Sequence, residues 1–443
     1  MEKLVHFYIL AFNDADYMVN DNMFYNRLQK RSLVYSMNKE KKTAKIAFII
    51  NTLSNGGAER TISNITTNLP DEYEADIIVN DAEGTTYPFK GNLISLGLKP
   101  QKNKLKLSYQ LRAFIARMHK LRRLKRDNKY IAVISFSESA SIANILSGKY
   151  NSKLIISVRI HLSSTRNSEL YRYFGFPLVK LIYNRADRII AVSKGVELDL
   201  IENFGIRETL VTTISNGCNV TRIQELAEEE LTIDEKKLFA GPNVIVTMGR
   251  LEYQKGQWHL IRALAALRDA GIEFTLLILG QGSKQAYLEK LIEDYDLQDR
   301  IKLMGFCSNP FKIMKNAELY VLPSLYEGMG NSLIEALACG LPCISTDHKS
   351  GAREILAPES DIRQTATENA EYAKYGILVP VPDGNIYEKG ERLTSEERIL
   401  SESIRRLIES KELRDKYSSL AVIRAEEMNV SNAVNKWIKE IIS

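Results

Sequence analysis

Two acids, Glu327 and Glu335, stand eight positions apart, and the residues that follow the first are Gly328, Met329, Gly330, Asn331, Ser332 and Leu333. The glycines allow positive φ or close approach to a ligand, and Asn331 and Ser332 are N-cap types, so a helix is expected to start near residue 331. Gly340 and Pro342 should stop it after about three turns. A helix N-terminus presents unpaired N–H groups and about half a positive charge, which suits a phosphate. Carboxylates beside an anion site need other partners, and sugar hydroxyls are suitable ones. A buried helix with a Gly-rich entry and one solvated Glu would use the same residues.

Two cations extend this chemistry. An apolar run, 243–248, ends in Gly249 and Arg250, and Lys255 and Gly256 come just before a helix expected from about Trp258. A guanidinium grips phosphate oxygens in a fork and an ammonium acts as a point charge, so together they can neutralise a diphosphate without a metal. A departing nucleoside diphosphate needs that neutralisation. A structural salt bridge is the other reading for either cation. Arg159 and His161 follow another apolar run, 154–158. His161 belongs in a cleft or on the surface, and Arg159 suits an acceptor phosphate.

The elements that position these residues alternate in type. Residues 44–51 form a continuous apolar run, as in a parallel strand covered on both faces, and Gly56 and Gly57 then turn the chain into a helix near Ala58. Further strands are expected at 75–79, 131–136, 188–192, 274–280, 301–305, 319–323 and from Cys343, with the last at 375–381. Helices are expected at 284–294, 395–409, 411–427 and 433–442. The fold class is α/β, with an extension at 1–43 carrying no sustained period, a first domain at 44–225, a second at 226–427, and 428–443 crossing back. The charge run 228–237 and Gly241-Pro242 read as linker. Deleting the extension, at least to residue 36, should leave turnover intact.

At 443 residues the chain can hold two domains of about 200 residues, each with its own core. Cys218, Cys307, Cys339 and Cys343 lack zinc-like pairing with histidines and suit a reducing compartment. No run approaches the roughly 18 apolar residues that span a bilayer, and no export signal is read at the N-terminus. The net charge of +5 is concentrated: residues 99–129 hold 12 Lys and Arg against Asp127 alone, leaving the remainder acidic. Within that stretch Leu107, Leu111, Phe114, Ile115, Met118 and Leu121 share a helical face, and Arg112, His119, Lys120 and Arg123 lie opposite. An anionic membrane surface is the favoured partner, with solvated cations over a core-facing stripe as the alternative. Nucleic acid is disfavoured, because no aromatic platform accompanies the charge.

The run E-G-M-G-N-S-L-I-E-A-L-A-C-G-L-P at 327–342 resembles the Glu-x7-Glu signature of family 4 retaining glycosyltransferases. N-T-L-S-N-G-G-A-E-R at 51–60, M-G-R-L-x3-K-G at 248–256 and S-G-A-R-E at 350–354 extend the likeness over roughly residues 44–443. The resemblance implies a GT-B fold, two Rossmann-like domains facing a cleft, with the nucleotide sugar donor on the second and the acceptor on the first. It places Gly249, Arg250, Lys255 and 328–333 at the donor diphosphate, Glu335 at the ribose, Glu327 and His161 near the transferred sugar, and 306–310 near the base. Gly56 and Gly57 then face the donor phosphates and the acceptor. The expected reaction is retaining transfer from a nucleotide diphosphate sugar, chiefly UDP-linked, to a glycan or polyprenyl-diphosphate-linked acceptor. It needs neither metal nor organic cofactor and takes place at the cytoplasmic face of the membrane. A phosphorylase, a nucleotide-sugar epimerase and a catalytically silent partner subunit are the alternatives; no pyridoxal-site lysine is identified for the first.

Overall fold

The computed structural model describes residues 43–53, 56–83, 85, 87–98, 107–165 and 176–443. Apart from Thr43, the expected extension at 1–43 lies outside these residues, as do 99–106 of the basic stretch. The chain separates into two compact units, residues 1–44 with 71–73, and residues 45–70 with 74–443. The site described below lies within the second.

In chain order the first half runs β1 (Ala44–Ile49), α1 (Gly57–Thr67), β2 (Tyr73–Val79), β3 (Asn92–Ser95), α2 (Leu107–Asn128) and β4 (Ala132–Phe136). It continues through α3 (Glu138–Leu146), β5 (Lys153–Val158), α4 (Leu162–Thr165), α5 (Phe176–Tyr183), β6 (Arg188–Ala191), α6 (Lys194–Leu198) and β7 (Val211–Thr213). After α7 (Val220–Ala227) and α8 (Ile233–Leu238) come β8 (Val244–Met248), α9 (Gln257–Asp269), β9 (Thr275–Leu279), α10 (Gln285–Asp294) and β10 (Ile301–Gly305). Then follow α11 (Phe311–Lys315), β11 (Leu319–Leu322), α12 (Asn331–Ala338), β12 (Cys343–Thr346), α13 (Ala352–Leu356), β13 (Glu371–Tyr372) and β14 (Ile377–Val379). Three helices end the chain: α14 (Ser395–Glu409), α15 (Lys411–Glu427) and α16 (Val430–Ile442).

The strands form two seven-stranded sheets, β3-β2-β1-β4-β5-β6-β7 and β10-β9-β8-β11-β12-β14-β13. Both read as doubly wound: chain order reverses between β1 and β4, paired in parallel with Ile46 opposite Ala132, and between β8 and β11, with Ile245 opposite Leu319. Crevices at such reversals, beyond the strands' C-terminal ends, are where open α/β sheets receive ligands. The GT-B expectation holds.

Central strands are buried along their length because helices cover both faces, which is why β4 is apolar but for Ser135 and buried at all five positions. One core joins Ile156 and Ile189 of the first sheet to Val246 and Tyr320 of the second. Another packs Trp258, Leu260 and Leu264 of α9 against Ile278, Val321 and Ile404. Each fully buried Leu or Ile contributes about 1.5–3 kcal/mol.

Several expectations need correction. The charge run 228–237 is not all linker: Thr232 and Glu235 form a capping box that starts α8, and α7 packs on α11 and α12. The expected boundary at 225/226 therefore falls inside a helix that sits with the second sheet. β3, β7 and β13 were not anticipated, because each is an edge or near-edge segment of two to four residues too short for a pattern. α12 has eight residues, nearer two turns than three, and its N-cap is Gly330 rather than Asn331 or Ser332.

The return of the C-terminus is built from close backbone contacts. Cys218 N–H donates to the Met428 carbonyl at 3.0 Å and Val430 N–H to the Cys218 carbonyl at 2.9 Å. A Cβ on Gly217 would lie 2.4 Å from Val430 Cα, so only glycine lets the two segments meet. α16 buries Val430, Val434, Trp437 and Ile441, a helical stripe, and the Trp437 ring lies 5.6 Å from that of Phe136.

Candidate active site

The candidate donor residues converge at the C-terminal ends of β8, β11 and β12. Glu327 is the centre. Ser324 Oγ donates to its Oε1 at 2.7 Å, Gln254 Nε2 donates to its Oε2 at 3.1 Å, and the Lys255 ammonium donates to Oε1. Ser350 Oγ holds the Glu327 carbonyl at 2.6 Å. Burial pushes this carboxyl up, but Lys255, His348 and the hydrogen bonds from Lys255 and Ser324 outweigh it, so its pKa lies below the ordinary 4.5. Glu327 is therefore an ionised, fixed acceptor.

The glycines serve close approach more than open access. A Cβ on Gly328 would stand 2.0 Å from the Arg159 carbonyl, and one on Gly57 2.9 Å from Asn331 Nδ2, so loops of the two sheets interlock here. Gly330 takes φ 78° and Gly351 φ 88°, left-handed conformations that favour glycine. A Cβ on Gly351 would also meet the Met329 carbonyl at 2.4 Å. Met329, Leu333 and Glu335 are buried, and the first-turn amides of α12 follow Gly330.

Arg250 is exposed beyond β8, while Lys255 turns inward with its stem against Gly249, where a Cβ would meet Lys255 Cε at 3.1 Å. Arg250 lies near enough to Glu59 of α1 to oppose the rise that burial imposes on that carboxyl. Glu335 has Arg60 of α1 as its ion-pair partner. Asn216 Nδ2 likewise donates to Asn331 Oδ1, and Glu354 accepts from Lys194 N–H at 2.7 Å and Gly195 N–H at 3.0 Å. These contacts bridge the two sheets' loops. The carboxylate expected for a ribose is thus held by a cation of the first sheet.

On the first sheet, Arg159 follows β5, its Nη2 donating to Thr61 Oγ1 at 2.7 Å and also to Asn216 Oδ1. Burial pulls this guanidinium down to about 9, opposed by Glu59, and Nη1 is buried without a partner. His161 is buried rather than on the surface, with Nδ1 2.9 Å from Ser164 Oγ and 3.6 Å from Asp199 Oδ2. Burial pulls its pKa down, against the pull of Asp199.

His348 was not anticipated. It follows β12, is 3% exposed, and neither ring nitrogen has a partner. Burial pulls it to about 4, with Glu327 and Lys255 near enough to act on it, so it is neutral at pH 7. Glu59 and Arg60 were also unassigned, although both stand in the 51–60 run. Their type gave no sign that α1 would face α12.

The basic helix α2 divides its cations. Arg112 and Arg123 are exposed, the latter 3.6 Å from Asp127, and the exposed Lys120 donates to the Leu96 carbonyl. Arg117 and Lys125 are buried instead. Of the expected apolar stripe, Leu121 is buried in the first sheet's core and Phe114 and Met118 pack on it, while Ile115 is exposed. Three of its six members thus face the core, and the side chains of Leu107 and Leu111 lie outside the described residues.

A cavity of about 380 Å³ lies beside the C-terminal crossing, lined by Lys194, Asn216, Met329, Arg424 and Lys436 among others, but not by Arg250, Lys255 or Glu327. Its Arg353 is already paired with Asp347 and Glu371. Among the described residues no group of three or more His, Cys, Asp or Glu could hold a metal, and no helix is long and apolar enough to cross a membrane.

Two doubly wound, mainly parallel seven-stranded sheets are the architecture of the GT-B fold. Residues 55–222 match Glycosyltransferase Family 4 and residues 228–377 match Glycosyl transferases group 1. An uncharacterized glycosyltransferase of Methanocaldococcus jannaschii is 31% identical over 73% of this chain and 82% of its own. The chain belongs to the family 4 glycosyltransferases. It is also 28% identical, over 90% of its length and 99% of the relative, to a Campylobacter jejuni enzyme. That relative is named N-acetylgalactosamine-N,N'-diacetylbacillosaminyl-diphospho-undecaprenol 4-alpha-N-acetylgalactosaminyltransferase. Among solved structures, Anabaena HepE in complex with UDP and glucose superposes with a TM-score of 0.67 at 20% identity, over 90% of this chain and all of that one. WaaG, a glycosyltransferase involved in lipopolysaccharide biosynthesis, gives 0.64 at 17% identity, over 89% and 99%.

Proposed function

We propose that this glycosyltransferase is retaining and moves a sugar from a UDP-linked donor to a hydroxyl of a lipid-linked or cell-surface polysaccharide acceptor, working at the inner face of the membrane. The observation that carries the reading is the Glu327 cluster: an ionised carboxylate held by Lys255, Gln254 and Ser324, one loop before the α12 N-terminus and beside the strand end that bears Arg250.

In the proposed reaction the bond between the anomeric carbon and the donor phosphate oxygen breaks, and the acceptor oxygen bonds to the same face. The acceptor's proton passes to the departing phosphate. Arg250, Lys255 and the α12 amides take up the charge that develops on the diphosphate. Glu327 accepts hydrogen bonds from the sugar and steadies positive charge at the anomeric carbon, with His161 across from it. Glu335 takes the ribose hydroxyls once Arg60 has moved. This same-face route needs no protein nucleophile, unlike the double displacement of retaining glycosidases.

The diphospho-undecaprenol in the Campylobacter relative's name supports a lipid-linked acceptor. The exposed cations of α2 support an anionic surface, since each contributes roughly 1 kcal/mol there. The test is a panel of nucleotide sugars screened by thermal shift, followed by NMR of the product's anomeric centre. Inversion of configuration, or an adduct trapped on Glu327, overturns the mechanism.

A further inference from the structure

Beyond β1, β2 and β4 the first sheet carries a second polar cluster, made of side chains to which no role is given above. Arg117 of α2 is 4% exposed, and no carboxylate among the described residues pairs with it. Its Nη1 donates to Asn51 Oδ1 at 2.9 Å and reaches Ser139 Oγ at 3.5 Å, while Nε and Nη2 are buried without partners. Burial alone pulls the guanidinium down, to about 10.

The cluster has more donors than acceptors. Asn80 Nδ2 at 3.4 Å and Ser139 Oγ at 3.3 Å also turn to Asn51 Oδ1, so three side chains share one amide oxygen that offers two lone pairs. Beside them Ser137 Oγ is buried and unpartnered, as is Asn80 Oδ1. Ser137 takes φ 90°, ψ 151°, a region otherwise left to glycine, and it precedes the nine-residue α3 without capping it. A strained residue, an uncapped helix start and an uncompensated buried cation stand together where parallel sheets bind ligands. The missing chemistry is an anion with several oxygens.

We propose that Arg117, Asn51, Asn80, Ser137 and Ser139 form a phosphate-binding subsite on the first sheet, taking the phosphate or diphosphate of a phosphorylated acceptor. The assignment to the acceptor rests on the transferase reading above; the anion site itself does not. Arg117 supplies a two-pronged grip through Nε and Nη2, the start of α3 supplies backbone N–H groups, and Ser137 and Asn80 Oδ1 meet a neighbouring hydroxyl. The same site would accept the diphosphate of a polyprenyl carrier or a free diphosphate.

The test is calorimetric titration of inorganic pyrophosphate, and in parallel of farnesyl diphosphate, into the full-length protein with and without saturating UDP. Wild type, Arg117→Met and Asn51→Asp are compared. Wild type should bind diphosphate in the presence of UDP, and both variants should lose at least tenfold in diphosphate affinity with UDP affinity unchanged within twofold. Asn51→Asp places a carboxylate where the amide now sits, so it should also raise the thermal midpoint; a structural Arg117 predicts no accompanying loss of anion. Tighter binding of farnesyl diphosphate identifies a lipid-borne ligand and tighter pyrophosphate a soluble one. Equal diphosphate binding by wild type and both variants, or a parallel loss of UDP affinity, overturns the proposal. Failure of wild type to bind UDP overturns the proposed UDP-linked donor and leaves the anion result standing.

Discussion

The Lys255 ammonium rests on the Glu327 carboxylate, both side chains largely shielded from water. A donor diphosphate therefore meets a lysine already committed to an acid, and the carboxylate locates the cation before substrate arrives. Lys255→Ala should lower kcat/KM on the order of 10²-fold, about 3 kcal/mol, as loss of a single charge-stabilising donor does. A fall below threefold in steady-state assays would remove Lys255 from the mechanism.

The same pair sets an acid limit. Glu327 has a folded pKa below its unfolded value, so its contribution to stability is complete above pH 4.5 and is lost as pH falls through the folded value. Lys255→Met should make the protein less stable at pH 7 and flatten the acid limb below pH 4.5, measured by urea unfolding. An unchanged acid limb contradicts the coupling.

His348 acts at higher pH. Its folded pKa of about 4 lies below the ordinary 6.5, so the unfolded chain binds the proton first and stability falls as pH drops from 6.5 toward 4. His348→Phe should remove most of that slope, at most about 3 kcal/mol across the window. His161, also depressed by burial, accounts for a residue of it. Identical urea midpoints at pH 4.5 and 7 in wild type would refute the assignment.

Arg60 and Glu335 make opposite forecasts. If Arg60 occupies the carboxylate that a ribose needs, Arg60→Met should raise UDP affinity severalfold while Glu335→Gln lowers it. Calorimetry with UDP alone decides, and a loss in both variants would mean the ion pair shapes the site instead of competing for it.

Arg250 is exposed, so Arg250→Ala should change stability by no more than about 0.5 kcal/mol. Transfer should nevertheless fall by about 3 kcal/mol. Flotation with anionic and neutral vesicles checks α2 separately: reversing Arg112 and Arg123 should abolish any preference for anionic lipid. Equal binding of wild type to both vesicle types would count against a membrane role.

Local signals carried much of the fold. β4, β8 and β11 were legible as apolar runs because helices cover both faces, and α14 and α15 fell at their expected bounds. α14 begins at a Thr394–Glu397 capping box that needs only four consecutive residues. The same signal at Thr232 and Glu235 was overlooked beneath a run of charge. The short strands β3, β7 and β13 acquire their identity from a neighbour's register, which no local pattern carries.

The site divides along the same line. The types and spacing of Arg250, Lys255, Glu327 and the 328–333 loop come from contiguous motifs, so the amino-acid sequence alone determined these residue types and the helix start beside them. Only the tertiary structure decided that Lys255 pairs with Glu327, that Arg60 covers Glu335, and that His348 and Arg117 are buried without full partners. Those facts depend on which loops the two sheets bring within a few ångströms. Pairing and desolvation are properties of that approach, whereas a residue's type is all that the chain records locally.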